Sequence, residues 1–137
     1  MLIYDYYPLI SALGSMVISQ LIKLIYFYYV DQKLSLKRLQ TAGGLPSSHS
    51  ALVIGLSSAL AIQYGLDSPY FFISACFSLI VIHDATGIRH SVGVHAKQLN
   101  DISQTKQNNE DVGHTKFEVS IGCLVGITCS LLLGCYL

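Results

Sequence analysis

Gly43-Gly44-Leu45-Pro46-Ser47-Ser48-His49-Ser50 opens directly into the apolar run Ala51 to Ile62. This junction decides how the chain is read, because it marks where a polar linker becomes a long apolar helix. The paired glycines give backbone freedom and Pro suits a first helical turn, so the helix is predicted to begin near Pro46. Unpaired N–H groups, two hydroxyls and an imidazole then gather at the positive end of the helix dipole. Such an end favours anions, phosphate above all. In a purely structural reading Ser47 and Ser48 are ordinary N-terminal caps and His49 caps the helix at an interface. In a functional reading the hydroxyls and amides bind phosphate oxygens. His49, with an ordinary pKa of about 6.5, is then a general acid able to donate a proton near neutrality.

Similar apolar runs lie on both sides of this one. A membrane span needs about 20 mostly apolar residues. The candidates are Pro8 to Val30 (interrupted by Gln20 and Lys23), Ser47 to Leu66, Ser68 to Asp84, and His114 to Leu137. Tyr64-Gly65-Leu66-Asp67-Ser68-Pro69 reads as a helix stop followed at once by a helix start. The polar segment His90 to Val112 is predicted to be the one long loop. Composition agrees: the 137 residues fit one domain, 52% are hydrophobic and only 12% charged, against roughly 25% charged in a typical soluble domain. The expected fold is therefore an all-α integral membrane bundle of about four spans, with a soluble helical bundle as the alternative. A net charge of zero gives no electrostatic pointer to nucleic acid. Cys76, Cys123, Cys129 and Cys135 lie in apolar runs without metal-ligand spacing and read as small buried hydrophobes. No cleaved signal is expected, since Asp5 precedes any Lys and the following apolar run is long.

Charge then orients the bundle. Lys33, Lys37, Arg38, Arg89, Lys97, Lys106 and Lys116 all fall on the side of the Asp31 to Gly44 linker and the His90 to Val112 segment. The opposite side, with the turn at Asp67 and both termini, has no Lys or Arg. This asymmetry places the basic side in the cytoplasm of a multi-pass protein of the inner, cytoplasmic membrane. The topology brings His49, Asp84, Arg89, His114 and Glu118 to one membrane face, with Lys23 two turns inside. Ionisable groups at such depths usually mark function.

His114 and Glu118 stand four apart and share a helix face. The carboxylate could hold one ring nitrogen and aim the other at substrate; the structural alternative is a surface pair at a helix start, where Glu is favoured anyway. Asp84 and Arg89 read either as an interfacial ion pair with a snorkelling Arg or as a phosphate ligand with its holder, Arg being the preferred bidentate partner. Lys23 either snorkels or lends a point charge to bound phosphate. His83, His90 and His95 together with Asp84 invite a metal reading, but their spacing is not diagnostic, and no metal or other cofactor is expected. Gly122 and Gly126 form a small-xxx-small motif for close helix packing, inside one chain or across a homodimer. Tyr26, Tyr28 and Tyr29 fit an interfacial aromatic belt.

Taken in order, Gly43-Gly44-Leu45-Pro46-Ser47-Ser48-His49-Ser50-Ala51, Asp84-Ala85-Thr86-Gly87-Ile88-Arg89, Ala96-Lys97-Gln98-Leu99-Asn100 and Gly113-His114-Thr115 with Glu118-Val119 closely resemble the divergent branch of the type 2 phosphatidic acid phosphatase family. These small membrane proteins are related to vanadium haloperoxidases. Gln20 and Lys23 also match, and the resemblance covers nearly the whole chain. Departures are Lys116 where Pro is usual, His95 where Gln is usual and Leu45 where Met is usual. The resemblance implies a metal-free helical active site with a phosphohistidine intermediate. His114 would be the nucleophile, Glu118 would stand in for the superfamily's Asp, and His49 would be the general acid. The superfamily's Arg before the nucleophile has no counterpart, as Gln107, Asn108 and Asn109 occupy that region; Arg89 substitutes in our reading, with Lys23 or Arg38 as the second positive charge. Ser47, Ser48, Asp84 and Asn100 complete the expected substrate-binding set.

The expected activity is hydrolysis of a phospholipid phosphomonoester at the cytoplasmic face. Phosphatidylglycerophosphate is the preferred substrate, ahead of phosphatidate and polyprenyl diphosphate. The alternatives are a phospholipid-binding or transport module without chemistry, and a purely structural membrane bundle.

Overall fold

The computed structural model describes residues 2–31, 43–105, 107–110 and 112–136. They form α1 (Leu2–Asp5), α2 (Tyr7–Asp31), α3 (Ser48–Tyr64), α4 (Pro69–Thr86), α5 (Ile88–Ser103) and α6 (Lys116–Tyr136), and no strand occurs among the described residues. Three helical stretches are long and apolar enough to cross a membrane: Tyr7–Val30, Pro69–Ser103 and Lys116–Tyr136. The second expected span is α3, whose 17 residues extend about 25 Å at 1.5 Å per residue, at the short end of membrane-spanning length. It is the central helix, packed against α2, α4 and α6.

The packing inverts the usual soluble order. Large apolar side chains such as Ile73, Leu79, Ile80 and Leu132 face outward, while Ser11, Ser15, Ser19, Ser57, Ser74, Ser78 and Ser130 are buried. Between membrane helices no hydrophobic force acts, so small residues that permit close approach, and hydroxyls that bond across the gap, hold the bundle together. The Tyr7 hydroxyl donates to the Ser130 carbonyl at 2.7 Å. The hydroxyls of Ser11 and Ser130 lie 2.7 Å apart, and Ser130 Oγ is 2.8 Å from the Gly55 carbonyl. Ser78 donates to the Val53 carbonyl at 3.1 Å, which ties α4 to α3.

Gly122 and Gly126 act inside the chain. A Cβ at Gly122 would strike the Ser47 carbonyl, and one at Gly126 would come within 2.7 Å of the Ala51 carbonyl and 2.8 Å of the Gly55 amide. The motif thus seats α6 directly on the backbone of α3.

Two expectations are corrected. The helix after Pro46 begins at Ser48, with Ser47 as its N-cap accepting from the Ser50 amide; Pro46 belongs to the preceding turn. The segment His90 to Val112 is not all loop, because residues 88–103 form α5. Its polar composition suggested a loop, but a helix needs only one packed face. Here Gly93, Ala96 and Asn100 supply that face. Gly93 lies so close to the Val112 and Glu110 carbonyls that no side chain fits between them. Beyond α5, Gln104 in the left-handed region returns its amide to the Asn100 carbonyl and ends the helix. At the other predicted junction, Gly65 closes α3, Ser68 caps α4 by accepting from the Phe71 amide, and Pro69 is its first residue.

Candidate active site

Four pieces of chain meet at one end of the bundle: the turn 43–47 with the start of α3, the end of α4, the start of α5, and residues 113–118. Backbone hydrogen bonds fix them to one another. The Ser47 amide donates to the Glu118 carbonyl at 3.1 Å, and the His114 amide to the Ala85 carbonyl at 2.9 Å. Gly113 has φ +85°, and a Cβ there would run into the backbone of Arg89 and His90. Glycine is therefore what lets residues 113–114 lie against the α4–α5 junction.

These constraints enclose a cavity of about 100 Å³ lined by His49, Val81, Asp84, Ala85, Arg89 and His114. Arg89 Nε donates to Asp84 Oδ2 at 2.6 Å, so the carboxylate holds the guanidinium by its inner nitrogen. The His114 ring is buried, and neither of its nitrogens has a hydrogen-bond partner. Nδ1 lies 3.5 Å from Glu118 Oε2, which is long for a hydrogen bond. The same carboxylate accepts from the Thr115 amide at 2.8 Å, while the Glu118 amide donates to Thr115 Oγ1 at 3.3 Å. That reciprocal pair is a capping box at the start of α6, so Glu118 has a structural duty besides facing His114.

Burial lowers the pKa of His114 from its ordinary 6.5; Glu118 opposes this, while Lys23 and His49 act in the same direction as burial. Burial thus favours the neutral form of the imidazole.

Lys23, Ser47, Ser48 and Asn100 do not line this cavity. Lys23 is buried and donates to the Gly43 carbonyl at 2.9 Å, so it braces the turn before α3 while its charge still reaches His114. Ser47 Oγ is 2.9 Å from Ser50 Oγ, and Ser48 Oγ accepts from Gln20 Nε2 at 3.4 Å. Both serines are buried, and Ser47 is the N-cap of α3. The first-turn amides of Ser48 and His49 have no partner within the helix. Asn100 is placed away from the cavity. Its Nδ2 donates to the Asn108 carbonyl at 2.9 Å and to Glu110 Oε1 at 2.8 Å, and its Oδ1 accepts from the Asn108 amide at 3.0 Å. It staples the segment leading to His114. Arg38 lies outside the described residues. No group of three or more His, Cys, Asp or Glu that could hold a metal ion gathers among the described residues.

Sequence reasoning missed two contributors. The stripe Tyr7, Ser11, Ser15, Ser19 and Lys23 recurs every four residues and is buried throughout; that spacing was the available signal. Gly113 was named only as part of a motif and Gly93 not at all, because the close approaches that demand them come from other segments of the chain.

A family model described as the divergent PAP2 family matches residues 4–129. The chain belongs to the divergent PAP2 family. The chain is also similar to the uncharacterized membrane protein YuiD of Bacillus subtilis strain 168. The two are 34% identical, with 93% of this chain and 94% of that protein aligned. No solved structure matches the chain. Four motifs singled out in the sequence lie within the matched residues. Three of them, those carrying His49, Asp84 with Arg89, and His114, contribute cavity-lining residues. The fourth, around Asn100, supports the loop.

Proposed function

We propose that this PAP2-related membrane protein is a lipid phosphatase. It would hydrolyse a phospholipid phosphomonoester at the cytoplasmic face, with phosphatidylglycerophosphate as preferred substrate. The observation that carries the reading is the shared cavity of His49, Arg89 and His114. A nucleophile, a phosphate-binding cation and a proton donor around one small space are the parts that phosphoryl transfer needs.

In the proposed reaction His114 Nε2, the nitrogen turned away from Glu118, attacks phosphorus. The N–P bond forms as the bond from phosphorus to the lipid oxygen breaks, and His49 gives its proton to the departing alkoxide. Water then attacks the phosphohistidine and loses a proton to His49, and cleavage of the N–P bond releases inorganic phosphate. Arg89, oriented by Asp84, and the first-turn amides of α3 offset the charge on the equatorial oxygens, usually the largest contribution to such catalysis. Glu118 stabilises the positive charge that develops on His114. The cytoplasmic setting is supported by the one-sided distribution of Lys and Arg.

The test is phosphate release in mixed micelles from phosphatidylglycerophosphate, phosphatidate and a polyprenyl diphosphate, each with and without chelator. His114→Ala is expected to lower turnover by a factor on the order of 10³ or more while the protein stays folded in detergent. Release that persists in the variant overturns the mechanism. Saturable lipid binding without turnover by the native protein would instead establish a binding module.

A further inference from the structure

Helix α5 carries a feature that the site does not use. Ile88, Val92, His95, Leu99 and Ile102 recur at spacings of four, three, four and three, which is one stripe along an α-helix. All five are exposed, Ile102 most of all at 81%. The neighbouring face of the helix, with Gly93, Ala96 and Asn100, is packed against the chain. His90, Lys97 and Asp101 fall on the side away from the stripe. Helix α5 is thus amphipathic twice over, with one face on the protein and one apolar face open.

Its position says what covers that face. Only Gly87 separates α5 from α4, so α5 starts where α4 reaches the end of its apolar run. The two helices together span 35 residues, about 52 Å if straight, well beyond a hydrocarbon core of about 30 Å. Ile88, the first residue of the stripe, lines a groove of about 570 Å³ with Leu79, Ile80 and Ile82 of α4. The open stripe is therefore continuous with the outward-facing apolar surface that α4 presents to the bilayer.

We propose that α5 lies on the cytoplasmic surface of the bilayer with Ile88, Val92, Leu99 and Ile102 sunk among the lipid chains, as interfacial helices do. The occupant of the stripe is the lipid surface itself. The other faces of α5 give this contact a consequence for the site. Arg89 sits in its first turn, Asn100 holds Asn108 and Glu110, and Gly93 lies against the Glu110 and Val112 carbonyls, shortly before Gly113 and His114. Contact with lipid fixes the helix that positions Arg89 and the loop before His114.

The chain contains no Trp, so single substitutions report without background. Val92→Trp, Leu99→Trp and, as a polar-face control, Lys97→Trp are reconstituted in phosphatidylcholine vesicles. Emission is quenched either by brominated acyl chains or by aqueous iodide. The stripe positions are expected to be quenched several-fold more by the brominated lipid than Lys97→Trp, and to be shielded from iodide. Two results overturn the proposal: iodide quenching at Val92→Trp and Leu99→Trp equal to the control, or shielding from both quenchers together with cross-linking between copies, which would make the stripe a protein interface. The readout does not depend on turnover, so it stands or falls separately from the phosphatase activity.

Discussion

Glu118 serves two roles with one carboxylate: it closes the cap of α6 through the Thr115 amide and faces Nδ1 of His114. The two can be separated. Glu118→Gln keeps an oxygen for the cap but removes the charge, and that charge is what opposes the burial-driven lowering of the His114 pKa. A nucleophilic imidazole must be neutral. The general acid His49 must in turn be protonated, and burial, Arg89 and Lys23 lower its pKa from 6.5 as well. Turnover of the native protein should therefore have two limbs, falling on the acid side as His114 gains a proton and on the alkaline side as His49 loses its own. In Glu118→Gln the proton binds His114 less readily still, so the acid limb of the pH–rate profile should move to lower pH, while kcat falls on the order of tenfold to a hundredfold from the lost stabilisation of the imidazolium. A limb that moves upward contradicts the pairing. At this scale much was legible. His49, Asp84, Arg89 and His114 were picked out as polar groups at the ends of apolar runs, and the chain reversals bring them together. Asn100 was not placed correctly, because its stapling partners, Asn108 and Glu110, sit in a loop whose path no periodicity reveals.

Helices fix these residues by close approach. Gly122 presses on the Ser47 carbonyl, so the cap of α3 and the start of α6 are set by one contact. Gly122→Val should force α3 and α6 apart. Overpacking of this kind costs about 1–3 kcal/mol or more, read as a lowered Tm in detergent. Ser11→Ala, which removes one hydroxyl from the Ser130 cluster, should cost only about 0.6 kcal/mol. Equal losses in the two variants would contradict the packing described here. The spans were legible as elements because apolar length is a strong signal. Helix α5 was not, since its many polar residues suggested a loop, although Ile88, Val92, Leu99 and Ile102 carry a helical period. The buried stripe of α2 also escaped notice: Ser11, Ser15 and Ser19 look like interruptions in an apolar run until Lys23 is seen to continue the same four-residue step.

For the whole molecule, orientation is the property on which the proposed substrate depends. In a cysteine-free background, Lys97→Cys should react with a membrane-impermeant maleimide only when the cytoplasmic face is open, and Asp67→Cys only from the other side. The reverse pattern would move the cavity to the outer face and exclude substrates confined to the inner leaflet. Fold class and the positions of the spans followed from composition and charge, since a bilayer imposes few options on a chain this apolar. What the linear order could not give is the depth of the cavity, because that depends on how far α6 slides along α3 before Gly126 meets Gly55 and Ala51.

The serine-lined interior has a thermal consequence. A soluble domain of this size shows a large heat-capacity increase on unfolding because its apolar core becomes wet. Here the large side chains already face lipid in the native state, and separating the helices exposes hydroxyls and glycine backbone instead. Disassembly within a bilayer should therefore carry little heat-capacity change, and the stability of the bundle should vary almost linearly with temperature, without the pronounced maximum that a buried apolar core imposes.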